Sequence, residues 1–443
     1  MKIGVFYEHQ LPKPWRDGDE QKLFNDALEQ IELADRLGIE YAWEVEHHFL
    51  EEYSHSSAPE VFLAAASQRT KRIRLGHGVV LLPGGYNAPA RVAERVATLD
   101  LVSNGRVELG TGESSSEMEL KGFGVARETK RRQWEENLEV VTRMMVESPF
   151  TGYQGEFGSA PARNVVPKPV QKPHPPVWVA CSRRDMIHTA AQKGIGALSF
   201  AFVDADEAVH WVTDYYATLE REGIAATYSV NANISVVSAF MCHRDEQTAI
   251  DRGLDGAHFF GYSLAHYYIF GQHRPGLTNI WNEFQERRGT MGFSPDIVKA
   301  NGEPLGSKIM QDGLGAVRGA IGTPKQIRDY LKNFEECGVD QLILLFQGGR
   351  NRHEHICESL ELFAKEVLPE FQDRDPRLGA EKRKRLEPVV EKVLARREAA
   401  LRERGRPPLD PSYTVSAAPQ AWGPQAAETL AVAQRVSGSG ARS

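Results

Sequence analysis

The feature that most constrains the fold is a regular alternation of short apolar runs with longer amphipathic segments. Most of the runs are followed by a helical pattern, and such alternating units require a parallel sheet with right-handed crossovers. Eight units favour a closed (β/α)8 TIM barrel over an open sheet. The eight strands are expected at 2–7, 41–45, 72–82, 106–110, 176–180, 197–201, 232–241 and 340–346.

The rival α/β architecture is a doubly wound open sheet. That fold would place a glycine-rich phosphate loop directly after the first strand. Residues 8–12 (Glu-His-Gln-Leu-Pro) stand there instead and contain no glycine. The sequence therefore argues for the barrel.

Three segments lie outside the repeating units and divide the chain. Residues 1–370 form the predicted barrel, and residues 260–322 form a long insertion before its last strand, which is either an active-site lid or a rigid subdomain or dimer contact. Residues 371–404 are highly charged with a thin apolar stripe, which predicts a C-terminal helical extension. Residues 405–443 are rich in Pro, Ala, Gly and Ser, which predicts a disordered tail.

Composition limits the partners and the location of the protein. The net charge of -7 argues against nucleic acid or an anionic membrane as the main partner, because those surfaces need a basic excess. No apolar run reaches the roughly 20 residues of a membrane helix, and the first residues do not resemble a signal peptide. The four cysteines form no CxxC pair. We expect a cytoplasmic protein without a zinc ribbon.

The active site of such a barrel lies at the carboxyl ends of its strands. The second strand ends in Glu46, His47 and His48. Neighbouring residues of a strand point to opposite faces, so the two histidines are not expected to share a metal ion. No metal site is predicted.

An anionic cofactor fits the other strand ends better. Ala180, Cys181, Ser182 and Arg183 follow the fifth strand and open a helix, where backbone N–H groups, a hydroxyl and a guanidinium favour a phosphate. Arg131 would add a second contact, although a solvated helix face is the common place for such a charge.

Glycines on the third and fourth strands have two explanations. Small residues would let a flat ring approach the backbone closely, or they would serve packing inside the barrel. The four glycines concerned are Gly76, Gly78, Gly110 and Gly112.

Several motifs in this order resemble the bacterial luciferase-like flavin monooxygenases, over about residues 1–370. The motifs are Glu46-His47-His48-Phe49, residues 74–83 (RLGHGVVLLP), 91–100 (RVAERVATLD), 103–110 (SNGRVELG), 321–324 (IGTP) and 337–342 (CGVDQL).

The resemblance implies a barrel that binds reduced FMN (FMNH2) non-covalently and reacts it with O2, with a separate flavin reductase as partner. His47 matches the catalytic histidine of the family and would hold a proton or hydrogen bond near the flavin, next to Glu46 in the cofactor site. The bond between Gly78 and Val79 matches a position that often carries a non-proline cis peptide under the flavin ring. A homodimer is also implied.

The phosphate end of the cofactor site departs from the family in detail. Arg131 and Ser182 match the phosphate contacts, and Ala180, Cys181 and Arg183 flank them. Gly112 stands where luciferase carries a reactive cysteine, and Glu113 replaces a basic phosphate contact.

The resulting hypothesis is an FMNH2-dependent, two-component monooxygenase that inserts one oxygen atom into a small organic substrate. Its alternatives are an F420-dependent hydride-transfer enzyme and a non-catalytic flavin-binding barrel. His9, Tyr262, Tyr267 and Trp281 are candidate substrate contacts, although aromatic residues of an insertion often form its own core. The substrate and the type of oxygenation stay open.

Overall fold

Eight parallel strands close into a barrel in the computed structural model, which describes residues 1–199, 203–290 and 318–403. The barrel order is β9–β11–β1–β2–β3–β4–β7–β8, and β8 pairs with β9 to close it. The predicted (β/α)8 barrel is thus confirmed. The strands are β1 (Lys2–Tyr7), β2 (Tyr41–Glu44), β3 (Arg74–Leu81), β4 (Val107–Gly112), β5 (Tyr153–Gln154), β6 (Ser159–Ala160), β7 (Val177–Cys181), β8 (Gly196–Ser199), β9 (Ile234–Cys242), β10 (Ala320–Gly322) and β11 (Gln341–Leu345).

Helices surround the barrel and connect its strands. Strands β5 and β6 form a hairpin outside it, and the short β10 pairs with the end of β9. The helices are α1 (Asp19–Leu37), α2 (Pro59–Arg69), α3 (Pro89–Val102), α4 (Glu117–Gly122), α5 (Lys130–Val146), α6 (Arg184–Gln192), α7 (Ala205–Glu222), α8 (Glu246–Ala265), α9 (Ile280–Arg287), α10 (Pro324–Glu336), α11 (His353–Glu366) and α12 (Leu368–Glu403), with a π-helical turn (His266–Phe270) after α8.

Packing inside the barrel depends on large rings set against glycine. Trp43 of β2 and Trp178 of β7 meet edge to face, with ring centroids 5.5 Å apart. A Cβ at Gly76 would lie 2.2 Å from Trp43, and one at Gly110 would lie 2.0 Å from the His77 carbonyl oxygen. These two glycines therefore serve barrel packing, which is one of the two explanations left open by the sequence.

The structure extends some elements beyond their predicted ends. Strand β4 runs to Gly112 rather than Gly110, because a bulge in β3 between His77 and Val80 shifts the register and lets the pairing continue. Helix α8 runs through Gly256 to Ala265, and a Cβ at Gly256 would lie 2.4 Å from the Gly348 carbonyl oxygen, so this glycine lets the helix lie close to the loop after β11.

The amino-terminal face of the barrel is crossed by α12. The ammonium group of Lys382 lies 2.6 Å from Asp340, just before β11, and the amino terminus of Met1 lies 3.4 Å from Asp375. Val390 and Val393 of α12 are buried. The helix thus covers the end of the barrel opposite the predicted site.

Four predictions lie partly or wholly outside the described residues. They concern residues 200 and 201 of the predicted sixth strand, residues 291–317 of the predicted insertion, residue 404 of the predicted helical extension, and the whole predicted tail at 405–443. Within the described ranges, no helix is both long and apolar enough to cross a membrane.

Candidate active site

Two carboxylates face the two ring nitrogens of His47 at the carboxyl-terminal face of the barrel. His47 follows β2, Glu8 follows β1, and Glu119 lies in α4 after β4. His47 Nδ1 is 3.0 Å from Glu119 Oε1, and His47 Nε2 is 3.7 Å from Glu8 Oε2. Segments that follow β1, β2 and β4 therefore bring three ionisable groups together at one end of the barrel, where the active site of such a fold lies.

The charge of His47 follows from this arrangement. Burial disfavours the charged ring, but the carboxylates of Glu8 and Glu119 outweigh it and raise the pKa of His47 to about 9. The side chain is 17% exposed, and its backbone N–H donates to the Ser56 carbonyl at 2.8 Å. His47 can therefore present a proton at the barrel mouth near neutral pH.

Glu8 is a buried carboxylate within hydrogen-bond reach of one tyrosine. Tyr53 donates its hydroxyl to Glu8 Oε1 at 2.7 Å. Burial raises the pKa of Glu8 to about 7, against the opposing effects of His47 and the Tyr53 hydroxyl. Glu8 Oε2, the atom that faces His47, accepts no hydrogen bond from the described residues.

Glu46 connects the ends of two strands rather than facing the mouth. Its Oε2 accepts the Leu81 N–H at 2.8 Å, and its Oε1 accepts the Asn87 amide at 2.9 Å. The His48 ring lies 3.1 Å from the same Oε1. Glu46 therefore fixes the loop that carries His47, and its predicted contact with a cofactor stays a prediction.

The predicted floor of the site lies at the β3 bulge. The cis peptide bonds of the described residues all precede proline, so the Gly78–Val79 bond is trans and the expected cis bond is not observed. The bulge between His77 and Val80 is the local irregularity instead. A Cβ at Gly112 would lie 2.6 Å from Val79, so Gly112 lets β4 lie close against this floor.

The predicted phosphate contact Arg131 pairs with Glu113. Arg131 Nε and one terminal nitrogen donate to the Glu113 carboxylate at 2.6 and 3.2 Å, and the guanidinium also contacts Met186 of α6. Lys130 lies 2.9 Å from the same carboxylate. Arg131 is thus directed at the start of α6, as a phosphate contact requires, but shares its charge with Glu113.

The residues before α6 divide between surface and core. Ser182 is exposed, and the N-terminus of α6 has no side-chain cap, so its first N–H groups are directed at an open site. Arg183 is 71% exposed and pairs with Asp185 at 3.0 Å. Ala180 is half-buried and Cys181 is buried. The donor set fits a phosphate group at Ser182 and Arg131, with Glu113 as a competing anion.

One loop joins the two parts of the site. Glu113 at the end of β4 pairs with Arg131, and the next residue, Ser114, donates to Glu119 Oε2 at 2.9 Å. Ser114 has φ 62°, an uncommon conformation for a non-glycine residue. The β4–α4 loop thus positions both the guanidinium and the His47 ring.

The four predicted substrate contacts fall in different places. His9 is buried against Phe24 and Phe62, at centroid distances of 4.3 and 4.7 Å, on the helix side of β1. Tyr262 and Trp281 belong to a separate apolar cluster around α9. Of the four, only Tyr267 lies near His47. Its ring centroid is 6.3 Å from that of Tyr53, whose ring in turn lies 5.5 Å from the His47 ring. The insertion's own core accounts for the other two aromatics.

Four residues near His47 were not predicted from the sequence. Tyr53 lies with its ring 5.5 Å from the His47 ring, and Tyr268 lies 6.4 Å from Tyr53. Glu8 had a detectable signal, because it directly follows β1, where active-site residues of such a barrel lie. Glu119 had none, since it belongs to a short helix without apolar periodicity. Among the described residues, no three His, Cys, Asp or Glu side chains group as metal ligands.

A comparison with protein families matches residues 1–341 to the model described as luciferase-like monooxygenase. A relative in Acinetobacter baylyi, the oxygenase component of a flavin-dependent trigonelline monooxygenase, is 24% identical over 80% of this chain and 91% of its own length. An uncharacterized protein of Sinorhizobium fredii is 31% identical over 47% of this chain. The chain spans 59% and 66% of the lengths of two such rhizobial relatives.

Two solved structures share the fold. The oxygenating constituent of 3,6-diketocamphane monooxygenase from Pseudomonas putida, in complex with FMN, has a TM-score of 0.61 and 20% identity, over 83% of this chain and 98% of that one. An F420-dependent secondary alcohol dehydrogenase with an F420–acetone adduct has a TM-score of 0.60 and 16% identity, over 83% and 98%. The barrel alone therefore accommodates either deazaflavin or flavin enzymes.

Proposed function

This chain belongs to the luciferase-like monooxygenase family, and from that premise we propose that it is an FMNH2-dependent monooxygenase. It acts as the oxygenase component of a two-component system, receives reduced FMN from a separate reductase, and inserts one oxygen atom of O2 into a small organic substrate. Its relative named as an oxygenase component supports this assignment.

The observation that carries the proposal is the placement of His47 between Glu8 and Glu119 at the barrel mouth. A charged imidazole is a suitable general acid or hydrogen-bond donor near neutral pH. Glu119 fixes the ring through the 3.0 Å contact to Nδ1, which leaves Nε2 toward the side of Glu8 and the mouth. Bound reduced flavin supplies the electrons for oxygen activation.

Arg131, Ser182 and the first N–H groups of α6 would hold the FMN phosphate. The guanidinium has five N–H donors, and Glu113 accepts from only two of its nitrogens. The bulge at Gly78 and Val79, with Gly112 behind it, would support the ring. Tyr267 and Tyr268 of the insertion would exclude water from the His47 side.

The second candidate is an F420-dependent hydride-transfer enzyme. The F420-dependent dehydrogenase with the same fold supports this alternative.

Titration of the purified protein with reduced FMN and with F420 distinguishes the candidates. We expect binding of reduced FMN, oxygen consumption in the presence of a flavin reductase, NADH and FMN, and a mass gain of one oxygen in a panel of apolar and heterocyclic compounds. Arg131→Ala should weaken FMN binding about 10- to 100-fold, the typical contribution of a charged hydrogen bond. Arg132→Ala, on the same helix, is the matched control. Tight F420 binding without oxygen consumption would overturn the proposal.

A further inference from the structure

Glu8 is the ionisable residue at the barrel mouth that neither the fold nor the proposed cofactor site explains. It is 2% exposed, and its Oε2 accepts no hydrogen bond from the described residues. A buried carboxylate that is only half satisfied costs stability. Such groups persist where they act on a neighbour, and the neighbour of Oε2 is His47 Nε2.

We propose that Glu8 is a positioning residue that keeps His47 in its doubly protonated form, so that Nε2 carries a proton toward the barrel mouth. Glu119 performs a different task, because it anchors the ring through Nδ1. Only the claim that this Nε2 proton takes part in the reaction rests on the proposed function.

The two distances distinguish these tasks. At 3.0 Å, Glu119 makes a hydrogen bond that holds the ring orientation. At 3.7 Å, Glu8 is within ion-pair range of Nε2 but too far for a hydrogen bond. Glu8 can therefore stabilise the charge without accepting the Nε2 proton, which stays available to an acceptor bound at the mouth.

Without Glu8, the neutral ring would gain population at the expense of the charged ring. In a neutral imidazole one nitrogen donates and the other accepts. The Glu119 contact would then hold the hydrogen on Nδ1 and leave Nε2 as an acceptor. A second carboxylate on the Nε2 side removes that alternative, because it favours N–H groups on both nitrogens.

The surrounding groups are acidic or phenolic. Glu44 acts on Glu8 from the helix side of β2, and Glu46 acts on His47 along its own strand. Tyr53 donates to Glu8, and the Tyr268 hydroxyl interacts with both Glu8 and Glu119 from the insertion. All of these groups either favour a positive His47 or are neutral near pH 7.

The test is the titration of His47 in the free protein, without flavin, by nitrogen-15 NMR. His47 is identified by the signal lost in His47→Gln. We expect Glu8→Gln to lower the pKa of His47 by about one unit or more, a tenfold or greater loss of proton affinity. Glu51→Gln, which removes a carboxylate that faces Lys13 and His273 in the same loop, is the control and should leave it unchanged.

Tyr53→Phe gives a graded second variant that retains Glu8. Loss of the hydroxyl removes a donor that favours ionised Glu8, so the pKa of His47 should fall by less than in Glu8→Gln. If Glu8→Gln does not fold, the titration of His47 in Tyr53→Phe tests the proposal instead. In the active enzyme, the alkaline limb of the pH profile should move to lower pH with the NMR value.

An unchanged His47 titration in folded Glu8→Gln, or in Tyr53→Phe where that is the folded variant, would overturn the proposal. A shift equal to that of Glu51→Gln would do the same. These outcomes are independent of the cofactor, since the free protein is measured. Binding of F420 in place of FMN would end the proposed function and leave the Glu8 result intact.

Discussion

Buried carboxylates at the two ends of the barrel differ in how completely they are hydrogen-bonded. At the amino-terminal face, Asp340 accepts from Lys382 at 2.6 Å, the Ile234 N–H at 2.8 Å and the Tyr216 hydroxyl at 2.6 Å. At the carboxyl-terminal face, Glu8 has one hydrogen bond and a 3.7 Å approach to His47. The first arrangement satisfies a carboxylate, whereas the second leaves one able to act on its neighbour.

The backbone shows the same asymmetry. His9, Phe49, Glu51 and Ser114 are non-glycine residues with positive φ, and all four follow the carboxyl ends of β1, β2 or β4. In the described ranges only Asn104 shares this feature elsewhere, in the turn before β4. Such conformations cost on the order of 1–3 kcal/mol each and concentrate at functional sites. The carboxyl-terminal end of the barrel thus carries four of the five non-glycine residues with positive φ in the described ranges.

The largest expected effect is at the carboxyl-terminal face, where His47→Ala should lower the turnover number. We expect a fall of about 10²- to 10⁴-fold, the range for a general acid or base. The affinity for reduced FMN should change little, because the proposed phosphate contacts lie at Arg131 and Ser182 rather than at His47. Steady-state assays with a flavin reductase measure the first quantity. Undiminished activity with normal flavin binding would move catalysis away from His47.

The fold and the candidate site also differ in how much of each could be predicted from the sequence. The barrel follows from alternating strand and helix periods, and the strand-end rule selects Glu46, His47 and His48. The family resemblance then distinguishes His47 and adds Arg131, which lies in a helix. The choice between Glu8 and His9 depends on which face of β1 is interior. The sequence leaves this undetermined, because β1 is apolar on both faces. Glu119 requires the course of the β4–α4 loop, which no periodicity encodes.

The second-largest expected effect is a loss of folding stability without a loss of turnover. Lys382→Met removes the cation from Asp340 at the amino-terminal face and retains the length of the side chain. Breaking such a largely buried pair costs about 3 kcal/mol. Denaturant unfolding of the variant measures this loss, and turnover per folded molecule should stay at the wild-type level. A loss of turnover at full stability would show that the two faces are coupled.

The smallest expected effect is on the pH dependence of the unfolding free energy, to which the two faces contribute in opposite directions. The pKa of His47 is raised to about 9 and that of Glu8 to about 7, so the stability they provide is present at low pH. It is lost as the pH rises through 7 for Glu8 and through 9 for His47. Between pH 7 and 8.5 this amounts to about 2 kcal/mol of unfolding free energy.

Asp35, whose carboxylate accepts N–H groups just before β3, should respond in the opposite direction. Three backbone N–H groups outweigh its burial and lower its pKa, so its contribution is present above pH 4 (approximately) and is lost in acid. Urea unfolding from pH 3 to 9.5 measures both limbs. The double variant Glu8→Gln/His47→Gln should reduce the alkaline limb and leave the acid limb, whereas Asp35→Asn should reduce only the acid limb. An alkaline limb of unchanged size in the double variant would show that Glu8 and His47 do not contribute to it.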